Sequence, residues 1–110
     1  MTLSTLSQEL HVARSKRYAL AGLVILGWED AKYYVKAAEE ISCPIILQVG
    51  PNCRESTPIE IMGPMLKKLA EDASINIVTL LDQSTNLKEC ERALDNGFSS
   101  IMFYGSNMEP

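Results

Sequence analysis

The chain has 110 residues and carries 10 lysines and arginines against 14 aspartates and glutamates. That length suits one small domain with a modest core, residues 1–110 without an internal boundary. The acidic balance, with no basic stripe interleaved with aromatics, excludes nucleic acid as an expected partner. The longest apolar runs are strand-sized and fall well short of the ~20 residues that cross a membrane. Residues 1–17 contain polar residues throughout and have no secretory apolar core.

The three cysteines, Cys43, Cys53 and Cys90, are scattered and lack CxxC spacing. They read as free thiols in a reducing cytoplasm, not as a disulfide framework or a zinc cluster. Cys43 and Cys90 read as core or helix-face residues, and Cys53 as part of a polar loop with nothing placed to activate it.

Thr5-Leu6-Ser7-Gln8 fits a capping box and predicts a helix over Thr5 to Lys16. Its expected apolar stripe is Leu3, Leu6, Leu10 and Ala13. Arg14, Lys16 and Arg17 gather where the helix dipole favours cations. The continuous run over 19–26 then reads as a parallel strand buried on both faces. A second helix is predicted from Trp28 to Ile41, with Ala31, Tyr34, Val35, Ala38 and Ile41 on one face. Pro44 blocks its continuation, and residues 44–49 form a second buried strand.

Gly50-Pro51-Asn52 breaks that strand. Thr57, Pro58 and Glu60 together signal a helix start with Thr57 as cap. Ile61, Met62, Met65, Leu66, Leu69 and Ala70 form its face, and Gly63-Pro64 predicts a break. A third strand covers 75–81. A fourth helix runs from Asn86 to Asp95, capped by Asn86 and Glu89 and stopped by Asn96-Gly97. The last strand covers 100–104. Strands alternating with helices predict right-handed crossovers and a parallel sheet in sequential order, a helix followed by (βα)₃β.

Asp82 follows the run Ile77-Val78-Thr79-Leu80-Leu81. Parallel α/β sheets place chemistry at the carboxyl ends of their strands, so this carboxylate is the candidate functional group. An aspartate at a strand end also serves as a turn or capping residue.

The motifs carry a resemblance. Tyr18-Ala19-Leu20-Ala21-Gly22-Leu23-Val24-Ile25, Pro44-Ile45-Ile46-Leu47-Gln48, Leu80-Leu81-Asp82-Gln83 and the run from Gly97 to Ser106 occur in order along nearly the whole chain. Together they resemble the N-terminal half of a class II, zinc-dependent fructose- or tagatose-bisphosphate aldolase. The resemblance implies the first half of a TIM (β/α)₈ barrel preceded by a helix, and a lyase of carbohydrate metabolism acting on a small phosphorylated sugar. It makes Asp82 the proton-transferring catalytic residue. It places Gly50 and Ser106 at substrate-binding positions.

The same resemblance shows departures. Gln83 occupies the position of a zinc-ligating histidine, and an amide oxygen is a weak, neutral donor. Val24 stands for an asparagine, Tyr104 for an aspartate, and Gly50 for a phosphate-contacting serine. The family's other zinc ligands belong to the second half of its barrel. His11, the only histidine, reads as a surface or packing residue. The expectation is therefore no cofactor for these residues alone, although the intact family uses zinc.

Two functional readings follow. One is half of an aldol-cleaving lyase, completed by a C-terminal half. The other is a non-catalytic aldolase homologue, a binding or scaffold subunit that has lost its zinc. An unrelated flavodoxin-like or receiver-like domain shares the βα rhythm, but the chain lacks a receiver's acidic cluster and a Gly-rich phosphate loop. An open half barrel also leaves apolar surface and two strand edges without partners, so self-association is expected.

Overall fold

The computed structural model describes residues 2–106 and 108–109. The elements run β1 (Leu3–Ser4), α1 (Leu6–Lys16), β2 (Ala21–Val24), α2 (Trp28–Ile41), β3 (Ile45–Val49), α3 (Pro51–Ser56), α4 (Ile59–Asp72), β4 (Ile77–Ser84), α5 (Leu87–Asp95) and β5 (Ser100–Phe103). All strand pairings are parallel. Strands β2 to β5 lie in sequential order, as the βα rhythm predicts.

The short β1 is an addition. It pairs with Ile77 and Val78 of β4, whose other edge is already taken by β3. β5 joins that same free edge further along, from Leu80 onward. Two collinear segments thus share one side of β4. A two-residue strand carries no periodicity, so the sequence does not announce it.

Alternation along the strands separates two faces. Ile45, Leu47 and Val49 of β3 and Ile77 and Leu81 of β4 pack against Ala31, Val35, Met62, Leu66 and Ala93 of the helices. Ile46, Val78 and Leu80 point to the opposite face, where Leu6 and Leu20 cover them. This is the layer arrangement of a partial (β/α) barrel, helices outside and a concave strand face within.

Several local expectations need correction. Ala13 of the expected stripe is buried, but Leu10 is 49% exposed and Glu9 is buried in its place. Tyr34 and Ile41 of α2 are also exposed. The run read as a strand buried on both faces is the outer strand β2, and three of its four residues are exposed because only β3 pairs with it among the described residues. The segment read as a polar loop is α3, and Thr57 closes it as C-cap, so it does not open α4. α4 begins after Pro58 and runs unbroken through Pro64. Its buried face, including Met62 and Leu66, anchors residues on both sides of the proline, and this packing outweighs the lost backbone bond. Gly63 allows the close fit: a Cβ there would run into the Asn96 carbonyl oxygen at the end of α5.

Candidate functional site

The carboxyl ends of β2, β3 and β4 surround a cleft of about 270 Å³, lined by Val24, Ile25, Leu26, Gly50, Cys53, Asp82 and Gln83 among others. A larger hollow of about 690 Å³ lies at the opposite end, between α1 and the amino ends of the same strands. Its buried carboxylate, Glu9, is occupied by the Ser4 hydroxyl at 2.6 Å and the Asn76 amide at 3.1 Å. Strand-end geometry and the aspartate both favour the smaller cleft.

Asp82 stands on the concave face, in phase with Val78 and Leu80. Its Oδ2 accepts a hydrogen bond from Gln48 Nε2 at 3.1 Å. Gln48 shares that face two residues beyond Ile46, and its side chain lies over Gly22, where a Cβ would collide with Oε1. A residue with no side chain on β2 thus gives Gln48 the room to reach Asp82. β4 does not end at Leu81 as the sequence suggests. It continues to Ser84 through a register shift, and Gln83 adopts a left-handed backbone with φ 52°. The irregularity lets β4 regain pairing with Phe103 of β5.

Arg54 of α3 braces this region. Its side chain is only 8% exposed. Nη1 donates to the carbonyls of Val49 and Asp82, each at 2.7 Å, and Nη2 donates to that of Gln83 at 3.4 Å. Nε meets Glu89 Oε2 at 3.1 Å, and Glu89 Oε1 accepts the Ser84 hydroxyl at 2.6 Å. Glu89 therefore does not complete the capping box read from the sequence. Asn86 caps α5 through the Lys88 amide.

The other named residues sort clearly. Gly50 caps α3 and lines the cleft, and Val24 lies at its edge. Gln83 is exposed and lines the same cleft. Ser106 lies in an exposed turn after β5, and neither it nor Tyr104 lines the cleft. His11 is exposed on α1, at the far end of the strands. Cys53 is buried in α3 and Cys43 is exposed, both against expectation, whereas Cys90 is buried. Burial pushes the Cys53 thiol up, and the Asp30 carboxylate adds to the effect against the opposing Arg54 charge. Such a thiol is a packing group and not a nucleophile.

The donors at the cleft do not fit zinc. Among the described residues no three His, Cys, Asp or Glu side chains converge. Asp82 and the Gln83 amide do not compose a tetrahedral nitrogen, sulfur and oxygen set. The arrangement offers one oriented carboxylate, one oriented amide and an open apolar rim. Those groups can bind and orient a hydroxyl-bearing ligand. Gln48 and Arg54 are the contributors that sequence reasoning passed over. The inward phase of Gln48 within the second strand was a usable signal, but no local pattern marked Arg54.

Comparison with known proteins agrees with this geometry. The family described as Fructose-bisphosphate aldolase class-II matches residues 4–110. A fructose-bisphosphate aldolase of Mycoplasma genitalium is 33% identical over 101 residues, covering 90% of this chain and 35% of that protein. A 6-phospho-5-dehydro-2-deoxy-D-gluconate aldolase of Bacillus licheniformis is 29% identical, covering 97% of this chain and 38% of its own length. The crystal structure of the YdjI aldolase from Escherichia coli superimposes with a TM-score of 0.90 at 24% identity, over 97% of this chain and 42% of that one. The chain thus spans well under half the length of the relatives it matches. It belongs to the class II fructose-bisphosphate aldolase family.

Proposed function

We propose that this chain is the N-terminal half barrel of a class II ketose-bisphosphate aldolase-like protein, and that these 110 residues do not cleave an aldol by themselves. The carrying observation is Asp82, on the concave face at the carboxyl end of β4 and held by Gln48 at 3.1 Å. In this reading Asp82 exchanges a proton at a carbon of a small phosphorylated sugar, Gly50 borders the sugar phosphate, and Ser106, outside the cleft in this half barrel, joins the phosphate site only when the barrel is closed. Zinc in the intact family polarises the substrate carbonyl. Here its donors are not assembled, so the charge left after proton transfer has no counter-charge. A C-terminal half, or a second copy of the chain, is the partner that would close the barrel, in a cytoplasmic setting of sugar metabolism or glycolysis.

The alternative is a non-catalytic homologue that binds or scaffolds. Gln83 at the histidine position and apolar Val24 at the cleft edge favour it. A coupled aldol-cleavage assay on the purified chain, with added zinc and with a chelator, tests the proposal. The expected result is no turnover and no stoichiometric zinc, and Gln83→His does not restore activity because one ligand does not make a tetrahedral site. Metal-dependent turnover would overturn it and point to a site assembled between subunits.

A further inference from the structure

We propose that Arg54 is a positioning residue that sets the left-handed turn at Gln83 and thereby aims both Asp82 and Gln83 into one cleft. The proposal rests on the reading of that cleft as the ligand site. Consecutive strand residues ordinarily point to opposite faces. Asp82 and Gln83 are consecutive, yet both line the cleft. The exception arises from φ 52° at Gln83, an uncommon conformation for a residue with a side chain; the other two such residues among those described, Arg17 and Ser42, are helix C-caps, and Gln83 is not.

The surroundings are specific. The backbone angles of residue 83 are fixed once the peptide planes before and after it are fixed. The Asp82 carbonyl belongs to the first plane and the Gln83 carbonyl to the second. Arg54 donates to both, from Nη1 at 2.7 Å and Nη2 at 3.4 Å. The same guanidinium holds the Val49 carbonyl at the end of β3, which sets the spacing between the strand that carries Gln48 and the strand that carries Asp82. Glu89 orients the fork through Nε, and its second oxygen holds Ser84, the residue immediately after the turn. A planar fork with several fixed donors suits this task, whereas a single ammonium cannot address both planes together.

Arg54→Met alone strands the Glu89 carboxylate and endangers folding. The informative variant is therefore the double substitution R54M/E89M, with Arg54→Lys as a second variant that keeps a cation beside Glu89. Two NMR readouts on the 110-residue chain apply: the intraresidue amide-to-α-proton signature of the Gln83 turn, and solvent exchange of the Gln48 side-chain amide. A folded R54M/E89M loses the left-handed signature, and its Gln48 amide exchanges about tenfold faster, the scale of one lost hydrogen bond. Arg54→Lys keeps the fold and shows the same two changes. Removing an unrelated pair by Arg92→Met leaves both readouts at wild-type values. Wild-type signals in R54M/E89M, or equal losses in Arg92→Met, would overturn the assignment. Neither readout involves a ligand, so failure of the aldolase-like reading leaves this test interpretable.

Discussion

At the scale of single residues, the site depends on a missing side chain as much as on those present. Gly22 leaves the space that Gln48 crosses to reach Asp82. Gly22→Ala puts a methyl group against the far end of a flexible side chain, which can swing away. Stability should therefore change by no more than about 1 kcal/mol, while the Gln48–Asp82 bond is lost. Urea unfolding together with the Gln48 amide resonance checks both halves, and a retained bond would refute the steric account. The cysteines give a second residue-scale prediction. Cys43 is exposed, whereas Cys53 and Cys90 are buried, so alkylation of the folded chain near neutral pH should label Cys43 alone. The buried Cys53 thiol is raised, chiefly by desolvation, so the folded state holds that proton more tightly than the unfolded chain does. Its contribution is intact below the ordinary thiol range and is lost as pH climbs through the raised value. Denaturation midpoints measured upward from pH 9.0 should fall, and the fall should be smaller in Cys53→Ala.

At the scale of elements, the helices show where local signals hold and where packing overrides them. Thr5 caps α1 through the Gln8 amide at 3.2 Å, and Asn96-Gly97 stops α5 with Gly97 at φ 96°, both as the residue types suggest. The break expected at Gly63-Pro64 is absent because α4 is pinned to the sheet on either side of it. Gly63 serves the contact with α5 and not flexibility. Gly63→Ala should therefore destabilise the chain by about 1–3 kcal/mol, since its methyl group meets rigid backbone at Asn96. Equilibrium urea unfolding would read this directly, and a neutral effect would show that the two helices can part without loss. Of the candidate site, the position of Asp82 near the carboxyl end of β4 was legible from its place after a buried run. α3 was not, because six residues starting at Pro51 show no helical period and its anchor, Arg54, bonds to residues 28, 29 and 35 positions away.

At the scale of the whole molecule, the concave face is only partly covered. Val24 is 60% exposed, and Leu26, Trp28, Met102 and Phe103 also meet solvent near the two outer strands. β2 and β5 each pair on one side alone among the described residues. Parallel edges and apolar surface of this kind favour association. Sedimentation at micromolar concentration should show self-association, or else a hydrophobic dye should bind the monomer. A compact monomer that binds no dye would contradict the open half barrel.

The alternation of apolar runs and amphipathic helices was set by the sequence alone, because periods of two and 3.6 residues are local properties of the chain. The burial of each run was not, since the outer strands β2 and β5 contain no fully buried residue. The parallel sheet and its sequential order followed from that alternation through the handedness of crossovers. Asp82 at a strand end belonged to the same layer of information. Only the tertiary structure decided that β1 shares an edge of β4 with β5, that Gln48 crosses Gly22 to hold Asp82, and that Arg54 fixes the turn at Gln83. These features depend on residues far apart in the chain meeting at specific angles. A hydrogen bond between such residues leaves no period in the sequence, so only the folded arrangement of the strands brings it into view.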